Sequence, residues 1–134
     1  MNNLNILLIE DDQIEILKFE RILSTISKNH KQHNETNGEA ALQYLKTTKN
    51  FPDLILLDLN MPKMNGLEFL KILKSDDGFH HIPVVVLTTS NNKEDIKEAY
   101  RIGIAGYVMK PLKYEAYTSQ LKTIIEYWSI NQLV

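Results

Sequence analysis

Leu54-Ile-Leu-Leu-Asp58-Leu-Asn-Met-Pro62 is an apolar run that ends in a single carboxylate and closes on a proline. Reached after Phe51-Pro52-Asp53, it has the length and unbroken hydrophobicity of a strand buried on both faces of a parallel sheet. Asp58 then stands at the carboxyl end of that strand. Open α/β sheets bind their ligands at this edge, because loops leave the strands there and helix N-termini turn their amides into the crevice. The placement makes Asp58 a candidate for chemistry. Taken alone, it fits equally an aspartate that hydrogen-bonds its own turn.

Upstream, Ile6-Leu-Leu-Ile9 repeats the pattern and also ends in acid, at Glu10-Asp11-Asp12. Ile14, Leu17, Ile22, Leu23 and Ile26, with Phe19 alongside, then recur at helical spacing, while Glu15, Lys18, Glu20 and Arg21 supply a polar face. Asp12 falls where a helix N-cap belongs. Gln32-His33-Asn34-Glu35-Thr36 is short and polar and suits a strand at a sheet edge. Asn37-Gly38 opens a helix carrying Ala40, Ala41, Leu42, Tyr44 and Leu45.

Downstream, Gly66 starts a helix with Leu67, Phe69, Leu70 and Leu73 on its inner side. Ile82-Pro83-Val-Val-Val-Leu87 is a third buried strand, β-branched, that delivers Thr88 to the same edge. Asn91 with Glu94 has the spacing of a capping box, and the helix it opens ends near Gly103. Ala105-Gly106-Tyr107-Val108-Met109 is the last strand and ends at Lys110-Pro111; Tyr114, Tyr117, Leu121, Ile124, Ile125 and Trp128 mark a closing amphipathic helix.

Five strand-helix units in alternation demand right-handed crossovers and a parallel sheet. Four strands read as buried and the second as an edge, which favours the order 2-1-3-4-5 over a closed barrel. The expected fold is a flavodoxin-like, doubly wound (βα)5 three-layer sandwich. A length of 134 residues with 43% hydrophobic content predicts one domain over 1–134, with no output domain following. Net charge is −2 and no Lys/Arg block forms a phosphate footprint, which argues against nucleic-acid binding. There is no cysteine, hence no disulfide and no thiolate metal site. The first residues lack a basic n-region and their apolar run is too short for a signal or a membrane span, so a cytoplasmic protein is expected. His30, His33, His80 and His81 are not spaced as metal ligands and read as surface or loop residues.

In the order 2-1-3-4-5, the strand ends bring Glu10 and Asp11, Asp58, Thr88 and Lys110 to one crevice. Three carboxylates and one lysine leave a charge of roughly −2, a like-charge cluster that calls for a divalent cation. Mg²⁺ fits, since it takes one or two carboxylates, keeps waters and shares its shell with a phosphate. A carboxylate nucleophile, Mg²⁺, a hydroxyl donor and a lysine are the parts that phosphoryl transfer uses.

At these residues the chain resembles the response-regulator receiver domains of two-component signalling. The resemblance spans essentially the whole length and rests on Ile-Glu10-Asp11-Asp12, Leu-Leu-Asp58-Leu-Asn-Met-Pro62 with Gly66, Val-Leu-Thr88-Thr-Ser90, and Gly106-Tyr107 followed by Lys110-Pro111. It implies that Asp58 is the phospho-acceptor, and that Asp11, Asp58 and the Asn60 backbone carbonyl bind Mg²⁺ directly, with Glu10 acting through metal-bound water. Thr88 is implied as the switch hydroxyl, Lys110 as the ammonium that holds a phosphate oxygen, Tyr107 as the rotating aromatic, and Lys110-Pro111 as a bond that is often cis in the family. Phosphorylation is expected to draw Thr88 and Lys110 inward, let Tyr107 turn into the space Thr88 vacates, and alter the surface of the fourth helix, last strand and last helix, roughly 92–128.

The implied partners are a sensor histidine kinase and either a separate downstream protein or a relay histidine. The run 83–90 and Tyr127-Trp128 resemble the stand-alone receivers that accompany phytochrome-type sensor kinases. The aromatics of the last helix read as core and rim, or as a homodimer face. Rival readings are a small aspartate-nucleophile phosphohydrolase, against which Asn60 stands where those enzymes place a second aspartate, and a pseudo-receiver that only binds partners. On the favoured reading the protein is no enzyme beyond its own phosphorylation and dephosphorylation.

Overall fold

The apolar runs become strands and the helical stripes become helices. In the computed structural model, which describes residues 2–61 and 63–134, the elements alternate as β1 (Asn5–Ile9), α1 (Gln13–Ile26), β2 (Lys31–Glu35), α2 (Gly38–Thr47), β3 (Leu54–Leu57), α3 (Gly66–Lys74), β4 (Val84–Thr88), α4 (Lys93–Ile102), β5 (Gly106–Met109) and α5 (Tyr114–Ser129). Pro62, read above as closing the third strand, lies outside the described residues, as does Met1. The strands form one sheet in the order β2-β1-β3-β4-β5, with every pair parallel. This is the flavodoxin-like arrangement.

Alternation along the strands builds two cores. Leu7, Ile9, Ile55, Leu57, Val84 and Val86 face α2, α3 and α4, where Leu45, Phe69 and Leu73 pack. Ile6, Leu8, Leu54, Leu56, Val85 and Leu87 face α1 and α5, where Phe19, Ile22, Tyr117 and Leu121 pack. β1 and β3 are therefore covered on both sides, which is why their sequences are uninterrupted apolar runs.

The structure corrects three expectations and settles one point left open by the sequence, the isomer of the Lys110–Pro111 bond. Ile14 and Leu17 do not join the inner stripe of α1: they are 66% and 60% exposed, while Ile16, Phe19, Ile22 and Leu23 are buried. At about 100° per residue, Ile16, Phe19, Ile22, Leu23 and Ile26 share one side and Ile14 and Leu17 fall opposite. The cap of α4 is Asn92 rather than Asn91, its side chain accepting from the N–H groups of Glu94 and Asp95. β5 is a second edge strand, only half-buried and ending in exposed Met109. The Lys110–Pro111 bond is trans.

Of the aromatics read into the inner stripe of α5, Tyr114 departs from it. Tyr117 lies in the core, whereas Tyr114 and Tyr127 are exposed. Trp128 is partly buried against the α1–α5 cluster and meets Tyr127 edge to face.

Candidate functional site

β3 sits between β1 and β4, so the residue leaving it emerges between their ends. The Asp58 N–H donates to Ile9 O at 3.1 Å, carrying the ladder one step past β3 and fixing the backbone beneath the carboxylate. The far side of that backbone is held by Gly66. A Cβ there would lie 2.7 Å from Leu59 Cα and 2.9 Å from Asp58 O, so the start of α3 presses on the Asp58 main chain in a way only glycine permits.

Asp58 Oδ1 accepts from Thr88 Oγ1 at 2.8 Å and, more weakly, from the Asn60 N–H at 3.4 Å. Oδ2 carries no hydrogen bond among the described residues. Thr88, wholly buried, also accepts from the Ser90 N–H at 3.3 Å. The Ser90 carbonyl in turn accepts from Tyr107 Oη at 2.7 Å, and Tyr107 packs against the α2–α3–α4 core. Thr88 and Tyr107, expected to move inward on phosphorylation, are thus already inward. Burial raises the Tyr107 phenol above its usual value, the bond to Ser90 opposing and Asp95 and Asp58 adding to the rise.

Glu10 is 3% exposed. Its Oε1 accepts from the Asp12 N–H at 3.1 Å and its Oε2 from Lys110 Nζ at 2.7 Å. Burial raises its pKa, Lys110 and the Asp12 amide pull it back, and Asp58 adds to the rise. Asp11 is exposed. Asp12 caps α1, accepting from the N–H groups of Ile14 and Glu15, so its carboxylate is spent on the helix.

The resemblance implies that Lys110 holds a phosphate oxygen once Asp58 is modified and is drawn inward by that change. In the structure Lys110 makes no ion pair with Asp58. With Asp58 unmodified it is held by Glu10 and by Glu15 Oε2, the latter at 3.7 Å. Glu15, assigned above to the polar face of α1, is a fourth carboxylate of the crevice and brings Lys18 with it as a second partner. Asp95 of α4 also joins, lining an open cleft of about 460 Å³ with Asp11 and Asn60.

Carboxylate oxygens of Glu10, Asp11 and Asp58 lie within 4.8 Å of one another. An octahedral ion with metal–oxygen distances of about 2.1 Å spans about 4.2 Å between opposite ligands, so one small divalent cation fits this cluster. Both oxygens of Glu10 are already engaged, by the Asp12 N–H and Lys110.

A parallel doubly wound sheet with an acidic, cation-binding cluster at its carboxyl edge defines the class. A family model of the response regulator receiver domain matches residues 6–122, and the chain belongs to that family. Among relatives, the probable methanogenesis regulatory protein FilR2 of Methanothrix harundinacea is 35% identical over 127 residues, 92% of this chain and 82% of that protein. The crystal structure of the phosphorylated cyanobacterial phytochrome response regulator RcpA is similar at a TM-score of 0.92 and 35% identity, covering 98% of both chains. The Mn²⁺-bound form of response regulator Rcp1 is similar at a TM-score of 0.90 and 31% identity, covering 98% of this chain and 99% of that one. Among the described residues, no helix is long and apolar enough to cross a membrane.

Proposed function

We propose that Asp58 accepts a phosphoryl group from a sensor histidine kinase. A carboxylate oxygen attacks phosphorus, the P–N bond of the donor phosphohistidine breaks, the imidazole keeps the electron pair and takes a proton, and an acyl phosphate remains on Asp58. The observation that carries this reading is the uneven engagement of the carboxylate. Oδ1 is fixed by Thr88 and Asn60, while Oδ2 keeps its lone pairs for attack. Asp11, Asp58 and the Asn60 carbonyl would hold Mg²⁺, with Glu10 acting through water, and the ion would supply neutralisation of the transferring oxygens.

Thr88 then donates to a phosphoryl oxygen and Lys110 crosses to another. The shift of Thr88 reaches Tyr107, already inward, through the main chain of Ser90 and so alters the face of α4, β5 and α5, where exposed Tyr100 and Met109 offer apolar contact to a separate target or a second copy of the chain. The likeness to RcpA supports a phytochrome-type kinase as donor, acting in the cytoplasm. The reaction is stoichiometric on the protein itself.

Intact-protein mass spectrometry after incubation with acetyl phosphate tests the reading. A single labile phosphoryl adduct that requires both Mg²⁺ and Asp58, absent in Asp58→Asn, is the expected result. A folded, Mg²⁺-binding protein that takes neither a phosphoryl group nor beryllofluoride at Asp58 overturns it.

A further inference from the structure

Lys110 faces two carboxylates with different futures. Glu10 belongs to the same cluster as Asp58, their oxygens being within 4.8 Å, so an ammonium that reaches toward a group on Asp58 can keep its 2.7 Å bond to Glu10. Glu15 stands outside that cluster, on the first turn of α1, where its other oxygen is paired with Lys18 Nζ at 3.2 Å. Between Glu10, Glu15, Asp58, Lys110 and Tyr117 lies a cavity of about 10 Å³, room for about one water or for the ammonium itself.

We infer that Glu15 is a positioning residue that holds Lys110 on the α1 side of the crevice until Asp58 is modified, and that loss of the Glu15–Lys110 pair is part of what phosphorylation must accomplish. Thr88 and Tyr107 already lie inward, so Lys110 is the member of the expected switch set that still stands apart from Asp58. Both partners of the pair are largely shielded from water, which makes the attraction stronger than that of a surface ion pair. Glu15 therefore favours the unmodified state. The inference rests on the reading of Asp58 as the phospho-acceptor.

The test is a double-mutant cycle read by beryllofluoride affinity at saturating Mg²⁺, followed by NMR on the full chain. Glu15→Gln keeps the shape and removes the charge; it is expected to tighten beryllofluoride binding about 3- to 10-fold. Removing a negative charge favours any anion, so the same change is made in Lys110→Ala. There the gain is expected to fall below about 2-fold, because the residue that Glu15 restrains is gone. Glu15→Asp, which keeps the charge but shortens the reach, is expected to lie between wild type and Glu15→Gln. An equal gain with and without Lys110 overturns the inference in favour of a general field effect, and no gain in either background overturns it outright. Failure of the wild type to bind beryllofluoride at Asp58 defeats the phospho-acceptor reading instead.

Discussion

Thr88 Oγ1 stands 2.8 Å from Asp58 Oδ1 and donates to it while the carboxylate is unmodified. The hydroxyl is thus engaged before any modification, and on the proposed reading the same group also carries the signal. Thr88→Ala removes a hydrogen bond to a charged acceptor and is expected to cost about 1–2 kcal/mol in urea unfolding. Phosphorylation of Asp58 should survive with little change, but Tyr107 ring signals should cease to respond to beryllofluoride. A normal Tyr107 response in this variant would refute the coupling.

Gly66→Ala places a methyl group 2.7 Å from Leu59 Cα, a contact that only backbone movement relieves. A loss of about 1–3 kcal/mol is expected. Since the same methyl reaches the Asp58 carbonyl, the rate of phosphorylation by acetyl phosphate should fall by about 10-fold or more through misplacement of the nucleophile. A stability loss with an unchanged rate would separate the two effects.

Asp11→Asn should act in opposite directions with and without metal. Without Mg²⁺ it relieves repulsion in a crevice that holds Glu10, Asp11, Asp58 and Glu15, and thermal stability should rise slightly. At saturating Mg²⁺ the wild type gains stability by ligand linkage and the variant does not. Melting curves at both conditions check the crossing of the two effects.

His30 Nδ1 accepts the Leu4 N–H at 2.9 Å, a bond that only the neutral ring can make. Burial lowers the pKa of His30 from the usual 6.5. The unfolded chain therefore binds this proton more readily than the folded one, and the contribution is fully present above pH 6.5 and lost as pH falls through the lowered value. Urea midpoints of wild type and His30→Gln should diverge less at pH 5.5 than at pH 7.5, because acid removes what the substitution removes. Equal divergence at both would show that the ring's charge state is immaterial.

Asn92→Ala should destabilise by about 1 kcal/mol through loss of the α4 cap, and Asn91→Ala by much less. Ala99 is the fully buried residue of α4, so the capping loss should register first as faster amide exchange within that helix.

The sheet was legible because buried parallel strands are continuous apolar runs, and Asp58, Thr88 and Lys110 were legible because each ends or follows such a run. What escaped was phase. Placing Ile14 and Leu17 inward turns the expected face of α1 and puts Glu15 in solvent, whereas those two residues are exposed and Ile16, Phe19, Ile22 and Leu23 are buried. With Phe19 at the centre of the stripe, Glu15 falls beside Ile22 on the buried side, at the turn nearest the crevice. A carboxylate on an apolar stripe was the available signal. The Asn91/Asn92 choice was not readable, since either residue can cap and only the backbone turn decides. β5 as an edge followed from the strand order itself, but Val108 and Tyr107 have strand-core chemistry and concealed its exposure. The inward position of Tyr107 depends on the Ser90 carbonyl, a main-chain acceptor on which side-chain identity has no bearing.

Ser90 joins the path from Asp58 to Tyr107 through its N–H and its carbonyl alone, and exposed Thr89 is bypassed. The conduit at this point is written in peptide bonds, which every residue but proline supplies. Any residue but proline at position 90 therefore keeps both main-chain links between Thr88 and Tyr107, and what a substitution there would remove is the weak acceptor that Ser90 Oγ offers the Asn92 N–H at the start of α4.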